Sequence, residues 1–296
     1  MNEIATEGRP DRNVWTDGYW TSQDGLTLHY RDYPGRSDRP PVICIPGLTR
    51  NARDFEPVAE AFAGEWRVIC VELRGRGESD YAKDPATYTP LTYVDDIEAL
   101  LDQAGISRFV AIGTSLGGLV TMLLAAKGAE RLAGAVLNDI GPQIEPAGLA
   151  RIREYVGQGR SYPTWMHAAR ALREQNAKIF PEYAISDWLN VAKRLMAVGG
   201  SGRIVFDYDM RIAEPFNTPT GAGEVDLWPA FRALAGRPVL VVRGGLSDLL
   251  SAHTLERMAA ELPEAETITL ERVGHAPSLA EPEAVESIAR LLARCR

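Results

Sequence analysis

A serine flanked by glycines has the spacing of a nucleophile held in a tight turn. Residues 113–118 (GTSLGG) join a predicted strand to a predicted helix and match the pattern G-x-S-x-G. Such a turn strains the serine backbone and leaves little room for side chains at Gly113 and Gly117. The pattern alone could also be the glycine-rich start of a helix. Its position between a strand and a helix favours Ser115 as a nucleophile.

A serine hydroxyl needs a base before it can attack a carbonyl group, and the chain has only four histidines to supply one. His275 follows the last predicted strand, whereas His29 lies within a strand, His167 in a helical region and His253 at the start of a helix. Loops at the carboxyl ends of parallel strands share one edge of the sheet. We therefore expect His275 to be the base that serves the serine.

Two aspartates follow predicted strands and could orient the imidazole of His275. Asp248 comes soon after the predicted strand 238–242 and gives the chain order Ser, Asp, His. Asp139 directly follows the predicted strand 133–138. Asp248 could instead cap the following helix, and Asp139 could be a purely structural carboxylate. We predict Asp248 as the orienting acid, with Asp139 near the site in a supporting role.

Acyl transfer also needs two backbone N–H groups that point at the developing oxyanion. Leu116 offers one of them at a helix N-terminus, where the helix dipole also favours negative charge. The second is expected in the turn after the predicted strand 42–46, where Gly47 precedes Leu48. Although this segment could be no more than a turn, Leu48 is the candidate donor and Gly47 its supporting residue.

The strands that must position these residues are short apolar, β-branched runs bounded by Gly, Pro or polar residues. Helical patterns lie between them, with apolar residues at three- and four-residue spacing. This alternation predicts an α/β fold with a parallel sheet covered by helices on both faces. The predicted strands are 26–32, 42–46, 67–71, 108–112, 133–138, 238–242 and 266–270.

The alternation of strands and helices stops near Gly141 and resumes near Gly236. The residues between contain helical segments and no convincing strand pattern. We therefore predict a discontinuous core of residues 1–141 and 229–296, with a helical cap, or lid, of residues 142–228 on the edge of the sheet.

The predicted lid would supply the apolar wall of a substrate pocket. Trp165 and Trp188 are the lid candidates, although each ring could simply pack the lid onto the core. Thr49 and Arg50 follow the candidate oxyanion turn and are the candidates from the core. Arg50 could meet a substrate carboxylate, although an arginine in solvent at the surface would have the same sequence signature.

The composition excludes several classes of partner and site. The 296 residues include 32 Lys+Arg and 40 Asp+Glu, a net charge of −8, which disfavours nucleic acid and anionic membranes. No membrane span and no secretory signal are predicted, the latter because residues 1–18 are acidic and lack an apolar stretch. Cys44, Cys70 and Cys295 show no paired spacing. We expect reduced thiols, no metal site and a cytoplasmic protein.

Taken together, these residues resemble the α/β-hydrolase superfamily, in its esterase-like and haloperoxidase-like group. The resemblance covers about residues 18–293 and rests on four segments. One of them, 72–80, is similar to the family's loop after the fourth strand, which usually begins with Asp. The resemblance implies an α/β-hydrolase fold, with a mostly parallel eight-stranded sheet and an inserted helical lid. The four segments are 72–80 (ELRGRGESD), 113–118 (GTSLGG), 138–142 (NDIGP) and 274–275 (GH).

Two positions refine what the resemblance implies. Many members of the family carry His before the glycine of the oxyanion turn, where this chain has Pro46. The donor at that turn is a backbone group, so the oxyanion hole is expected to survive. Haloalkane dehalogenases and epoxide hydrolases of this fold use an aspartate nucleophile, so Ser115 disfavours those two reactions.

The resemblance implies a serine hydrolase that cleaves a carboxylic ester or lactone of a small, largely apolar substrate and needs no cofactor. Carbon–carbon bond hydrolysis of diketones and cofactor-free perhydrolysis are alternative reactions that Ser115, His275 and Asp248 could also catalyse. A receptor-like protein that binds a ligand and turns it over slowly is an alternative of another class. The sequence gives no indication of the oligomeric state of the protein.

Overall fold

The strands form where apolar and β-branched residues cluster, because such side chains pack well on a pleated surface. A computed structural model describes residues 14–217 and 226–295. Its strands are β1 (Thr16–Thr21), β2 (Thr27–Tyr33), β3 (Val42–Ile45), β4 (Val68–Glu72), β5 (Phe109–Thr114), β6 (Leu132–Asn138), β7 (Ser161–Tyr162), β8 (Met196–Val198), β9 (Ile204–Phe206), β10 (Val239–Gly244) and β11 (Glu266–Leu270).

Eight of the strands form one sheet in the order β1-β2-β4-β3-β5-β6-β10-β11. β1 and β2 pair antiparallel, as do β2 and β4, and the pairings from β4 to β11 are parallel. The predicted α/β fold and eight-stranded, mostly parallel sheet are thus confirmed. The carboxyl ends of β3, β5, β6, β10 and β11 meet at one edge of this sheet.

Strand β1 has no counterpart among the seven strands expected from apolar runs. Its sequence TDGYWT is largely exposed, and only Trp20 is buried. An antiparallel strand at the edge of a sheet can have one face in solvent, so its sequence need not be continuously apolar. A search for continuous apolar runs therefore misses it.

Helices cover both faces of the sheet. Alternate residues of β3 point to opposite sides, so Ile43 and Ile45 join one apolar cluster while Val42 and Cys44 join the other. The helices are α1 (Glu56–Phe62), α2 (Pro90–Gln103), α3 (Leu116–Gly128), α4 (Pro146–Tyr155), α5 (Trp165–Asn176), α6 (Ile185–Leu195), α7 (Ala213–Asn217), α8 (Trp228–Arg232), α9 (Ala252–Glu261) and α10 (Pro282–Ala293).

The segment between β6 and β10, called the insert below, holds α4–α8 and also the small antiparallel sheet β7-β9-β8. The helices expected in this segment are present, and the small sheet is an addition to them. These strands have two or three residues each, too short for alternation to be visible in the sequence. Part of the insert has its own apolar cluster, whose buried members include Ala168, Leu172, Trp188 and Ile204. The division at residues 142–228 stays a prediction.

Residues 1–13, 218–225 and 296 lie outside the described ranges. The prediction of no secretory signal concerns residues 1–18, most of which lie outside the described ranges. Residues 218–225 of the predicted lid lie outside them as well. Within the described ranges, no helix is both long and apolar enough to cross a membrane. Cys44, Cys70 and Cys295 are buried, and no disulfide joins them.

Candidate active site

Ser115 lies in the sharp turn between the end of β5 and the start of α3. Its backbone has φ 52° and ψ −115°, an uncommon conformation for a residue with a side chain. The turn requires glycine nearby, because a Cβ atom on Gly117 would lie 1.9 Å from the carbonyl oxygen of Ile45. One on Gly113 would lie 2.3 Å from the carbonyl oxygen of Gly117. The predicted strained turn around Ser115 is therefore present.

His275 lies in the loop after β11, and its ring reaches the serine. The distance from His275 Nε2 to Ser115 Oγ is 2.9 Å, so the hydroxyl can donate to the imidazole. The other ring nitrogen, Nδ1, lies 2.7 Å from Oδ2 of Asp139. A neutral imidazole that donates from Nδ1 to a carboxylate leaves Nε2 free to accept a proton.

The carboxylate next to His275 is that of Asp139, which is fully buried directly after β6. Besides the imidazole, two donors hold it. The backbone N–H of Gly244 donates to Oδ1 at 2.8 Å, and the hydroxyl of Ser247 donates to Oδ2 at 2.6 Å. Asp139 has a positive φ of 56°, which aspartate tolerates better than most residues. With these bonds its carboxylate is fixed in place and holds the imidazole in one orientation.

Asp248, predicted as the orienting acid, is not the carboxylate that is hydrogen-bonded to His275, because Nδ1 pairs with Asp139. Asp248 instead forms a two-fold ion pair with Arg151 of α4, with Nε to Oδ2 at 2.5 Å and Nη2 to Oδ1 at 2.8 Å. The hydrogen bonds from Arg151 hold the pKa of Asp248 below its ordinary value. The backbone N–H of Glu145 also donates to the carbonyl of Leu249 at 3.0 Å. Asp248 thus fastens the insert to the loop after β10.

Two backbone N–H groups adjoin the serine in the places expected of an oxyanion hole. Leu116 is the first residue of α3, and amides in the first turn of a helix have no acceptor within it. Leu48 lies in a turn closed by a hydrogen bond of 3.2 Å from the N–H of Arg50 to the carbonyl of Gly47. A Cβ atom on Gly47 would lie 3.7 Å from Cβ of Ser115, so this turn passes close to the serine.

Arg76 is a residue of this site that the sequence reasoning missed. Its fully buried guanidinium donates to the carbonyl oxygen of Leu48 from Nε at 2.9 Å and from Nη2 at 2.7 Å. Nη1 donates to the carbonyl of Arg74 at 2.6 Å and to the hydroxyl of Tyr93 at 3.1 Å. Arg76 lies in the segment 72–80, which is similar to a loop of the family, but that similarity assigns no role to the arginine. No local pattern indicates that Arg76 fixes the turn at Leu48.

Asn138 also escaped sequence reasoning, although it links the two loops that carry the serine and the histidine. Its backbone carbonyl accepts from the N–H of Ser115 at 2.9 Å. Its side-chain amide donates to the hydroxyl of Thr114 at 3.0 Å and to the carbonyl of Pro277 at 2.9 Å. Asn138 therefore ties the residue before the serine to the loop that holds His275.

A cavity of about 460 Å³ opens onto Ser115 and His275, a size suited to a small organic molecule. Three of the four predicted pocket residues, Thr49, Arg50 and Trp188, line it. Trp165 does not, because its ring packs against the apolar cluster of the insert, and that prediction is wrong. Arg50 is paired with Asp54, whose Oδ1 accepts from Nη2 at 2.7 Å.

In the described part of the chain, no three His, Cys, Asp or Glu side chains come close enough to hold a metal ion.

Comparison with known proteins places the chain in a family. The profile of a family described as the alpha/beta hydrolase fold matches residues 40–282. The chain is similar to the crystal structure of an alpha/beta hydrolase from Novosphingobium aromaticivorans, with a TM-score of 0.91 and 62% identity over 95% of this chain and 98% of that chain.

Two relatives carry the names of hydrolases. The 3-hydroxybutyrate-oligomer hydrolase of Cupriavidus necator is 34% identical over 262 residues, which cover 86% of this chain and 89% of that protein. The 2-(acetamidomethylene)succinate hydrolase of Mesorhizobium japonicum is 27% identical over 259 residues, or 87% of this chain and 88% of that protein. The chain therefore belongs to the alpha/beta hydrolase fold family and is a hydrolase.

Proposed function

We propose that this protein is a serine hydrolase that cleaves a carboxylic ester or lactone through an acyl-enzyme. Ser115 is the nucleophile, His275 the general base and Asp139 the acid that orients the imidazole. The observation that carries the proposal is the hydrogen-bonded chain from Ser115 Oγ to His275 Nε2 and from His275 Nδ1 to Asp139, with distances of 2.9 and 2.7 Å. Nucleophile, base and orienting group in this order are what acyl transfer by serine requires.

In the first step, Ser115 Oγ attacks the carbonyl carbon of the ester while its proton moves to His275 Nε2. The carbonyl oxygen becomes an oxyanion that the backbone N–H groups of Leu48 and Leu116 stabilise. Collapse of this intermediate breaks the bond to the alcohol oxygen, which takes the proton from His275 Nε2. The acyl group is then bonded to Ser115.

In the second step, water attacks the acyl carbon and gives a proton to His275. A second tetrahedral intermediate forms at the same oxyanion hole, and its collapse releases the carboxylic acid and returns the proton to Ser115. Throughout both steps the carboxylate of Asp139 orients and stabilises the imidazolium. The N–H of Gly244 and the hydroxyl of Ser247 hold that carboxylate in place.

The substrate class rests on the cavity and on the relatives. A space of about 460 Å³ suits a molecule of modest size. Apolar side chains from the insert form much of its wall, among them Leu172, Phe180, Trp188 and Val191. A relative 34% identical to this chain is named for the hydrolysis of 3-hydroxybutyrate oligomers, which are esters of a short hydroxy acid. We therefore propose an ester or lactone with a short acyl chain as substrate.

The test combines a fluorophosphonate probe with chromogenic esters of increasing acyl length. We expect the wild-type protein to be labelled at Ser115 and to hydrolyse the short esters fastest. Ser115→Ala should remove both labelling and turnover, while Thr114→Ser, next to it in the chain, should keep both. Hydrolysis that survives in Ser115→Ala would contradict the assigned nucleophile. Labelling without turnover would instead favour a receptor-like protein, and diketone cleavage without ester cleavage a carbon–carbon hydrolase.

A further inference from the structure

The wall of the cavity carries more positive than negative side chains, although the whole chain has a net charge of −8. Two of the arginines are already neutralised, because Arg50 pairs with Asp54 and Arg151 with Asp248. The charged residues of the wall are Arg50, Arg151, Arg160, Arg194, Asp54 and Glu154.

Of the two remaining arginines, Arg160 is exposed to solvent and Arg194 is half-buried. Among the described residues, Arg194 makes no ion pair, and its buried Nε atom has no hydrogen-bond partner. Its guanidinium lies close enough to the phenol of Tyr183 to act against the rise in the pKa of Tyr183 that burial causes. A charged donor that is left without a partner in a cavity wall is costly unless an anion joins it.

The backbone of Arg194 is fixed beside the segment that follows the oxyanion turn. Its carbonyl oxygen accepts from Nδ2 of Asn51 at 3.0 Å and from Nε of Arg53 at 3.1 Å. Both bonds involve the main chain of Arg194, so a change of its side chain leaves them in place. The contact between the end of α6 and the core thus fixes the main chain from which the guanidinium extends.

A second donor without a partner lies on the same helix. Trp188 is almost fully buried, lines the cavity, and has no hydrogen-bond partner for Nε1 among the described residues. Residues 188, 191 and 194 recur at three-residue spacing, so they lie along one side of α6, and all three line the cavity. This side of the helix therefore presents the cation of Arg194 beside apolar surface to a ligand in the cavity.

We propose that Arg194 binds a free carboxylate of the substrate and selects esters that carry one. This inference rests on the proposed esterase function and adds the charge of the substrate to it. The planar guanidinium matches a carboxylate through paired hydrogen bonds, and Trp188 and Val191 place apolar surface beside it on the same side of α6. Arg50, which the sequence suggested for this role, is occupied by Asp54.

The test compares esters with and without a carboxylate. Ethyl hydrogen glutarate carries the carboxylate on the acyl side, and 3-acetoxybutanoate carries it on the alcohol side. In the matched amide of each ester, a neutral amide replaces the carboxylate. We expect Arg194→Met to lower kcat/KM by about 10- to 100-fold for one of the two anionic esters. The same variant should change both amides less than about threefold. Arg194→Lys should retain part of the preference, because it keeps the charge and loses the planar fork.

Arg170→Met is the matched control, since it removes an exposed arginine of the insert that does not line the cavity. This variant should change kcat/KM of every ester less than about threefold. That result would show that losing a positive charge elsewhere in the insert does not by itself lower kcat/KM for anionic esters. Equal losses for the anionic esters and their amides in Arg194→Met would overturn the proposal, as would no loss for either.

Binding to a protein without the nucleophile separates this inference from the proposed function. Calorimetry with Ser115→Ala should show tighter binding of one anionic ester than of its amide. The double variant with Arg194→Met should lose that difference. Preserved preference in the double variant, or none in Ser115→Ala, overturns the role of Arg194. The wild-type protein could also fail to turn over any ester while the binding preference for the anionic ester still depends on Arg194. That result would overturn the esterase assignment and leave the role of Arg194 intact.

Discussion

Asp139 Oδ2 accepts a hydrogen bond of 2.7 Å from Nδ1 of His275, although Asp248 stands at the more familiar place in the chain order. The two aspartates follow β6 and β10, which are adjacent parallel strands, so both reach the same edge of the sheet. Asp248 is already engaged by Arg151 of the insert. The two carboxylates therefore have different roles: Asp139 orients the imidazole, and Asp248 attaches the insert to the core.

The first prediction concerns this division. Asp139→Asn should lower kcat for ester hydrolysis by about 10³- to 10⁴-fold, because an amide can donate to Nδ1 and so favour the wrong tautomer of His275. The loss is measured with a chromogenic ester at saturating concentration and neutral pH. Labelling of Ser115 by the fluorophosphonate probe should slow in parallel.

Asp248→Asn is the matched control for the same prediction. It should keep kcat within about fivefold and reduce the free energy of unfolding, because Arg151 loses its partner. If Asp248→Asn abolished turnover and Asp139→Asn did not, Asp248 would be the orienting acid in solution.

Ser115 and His275 could be assigned from sequence because local patterns mark each of them. The glycines around Ser115 are required by contacts within a few residues and with the adjacent strand β3. His275 needed only the alternation of strands and helices to be placed at the correct edge. The positions of Ser115 and His275 can therefore be predicted from short segments of the sequence.

The choice between Asp139 and Asp248 could not be made in that way. It depends on the N–H of Gly244 and the hydroxyl of Ser247, 105 and 108 positions from Asp139, and on an arginine of the insert. Trp165 illustrates the same limit. An aromatic residue on an amphipathic helix can face a cavity or a neighbouring helix, and the sequence of the helix is compatible with both.

The second prediction tests how the oxyanion turn is held. Arg76→Lys should lower kcat by about tenfold with little change in KM, because one ammonium cannot reproduce the two hydrogen bonds to the carbonyl of Leu48. The N–H of the same residue is the proposed oxyanion donor, which acts mainly in the transition state. Steady-state kinetics with one short ester separates the two parameters.

Arg74→Lys is the control for Arg76→Lys, since Arg74 is equally buried two positions away and binds Asp96 and Asp24 instead of the turn. It should lower the melting temperature and leave kcat within about twofold. Equal loss of kcat in both variants would mean that Arg76 acts through general stability alone.

The third prediction concerns crowding at the serine turn. Gly117→Ala should prevent folding or destabilise the protein by more than about 3 kcal/mol, because the added Cβ would lie 1.9 Å from a backbone oxygen of β3. Gly64→Ala is the control: nothing lies within 4 Å of a Cβ there, and its φ of +88° is the only source of strain. Gly64→Ala should therefore cost less, and urea unfolding measures both. Equal costs would contradict the crowding at Gly117.

The last prediction is a pH dependence of stability that arises at His29. This buried side chain lies between Glu72, 2.9 Å from Nδ1, and Asp17, 3.0 Å from Nε2. Burial by itself lowers the pKa of His29, but the two carboxylates outweigh it, so the pKa is raised above the ordinary 6.5. The stabilisation by the charged form is therefore complete below pH 6.5 and disappears as the pH rises through the raised pKa.

His29→Gln should accordingly cost about 1–2 kcal/mol more at pH 5.5 than at pH 9, as a hydrogen-bonded charge does. Urea unfolding of both proteins at the two pH values measures this difference. His253→Gln, at an exposed position at the start of α9, should cost nothing at either pH. A cost of His29→Gln that is constant, or that grows toward pH 9, would mean that His29 is neutral in the folded protein and that the carboxylates of Glu72 and Asp17 do not hold its charge.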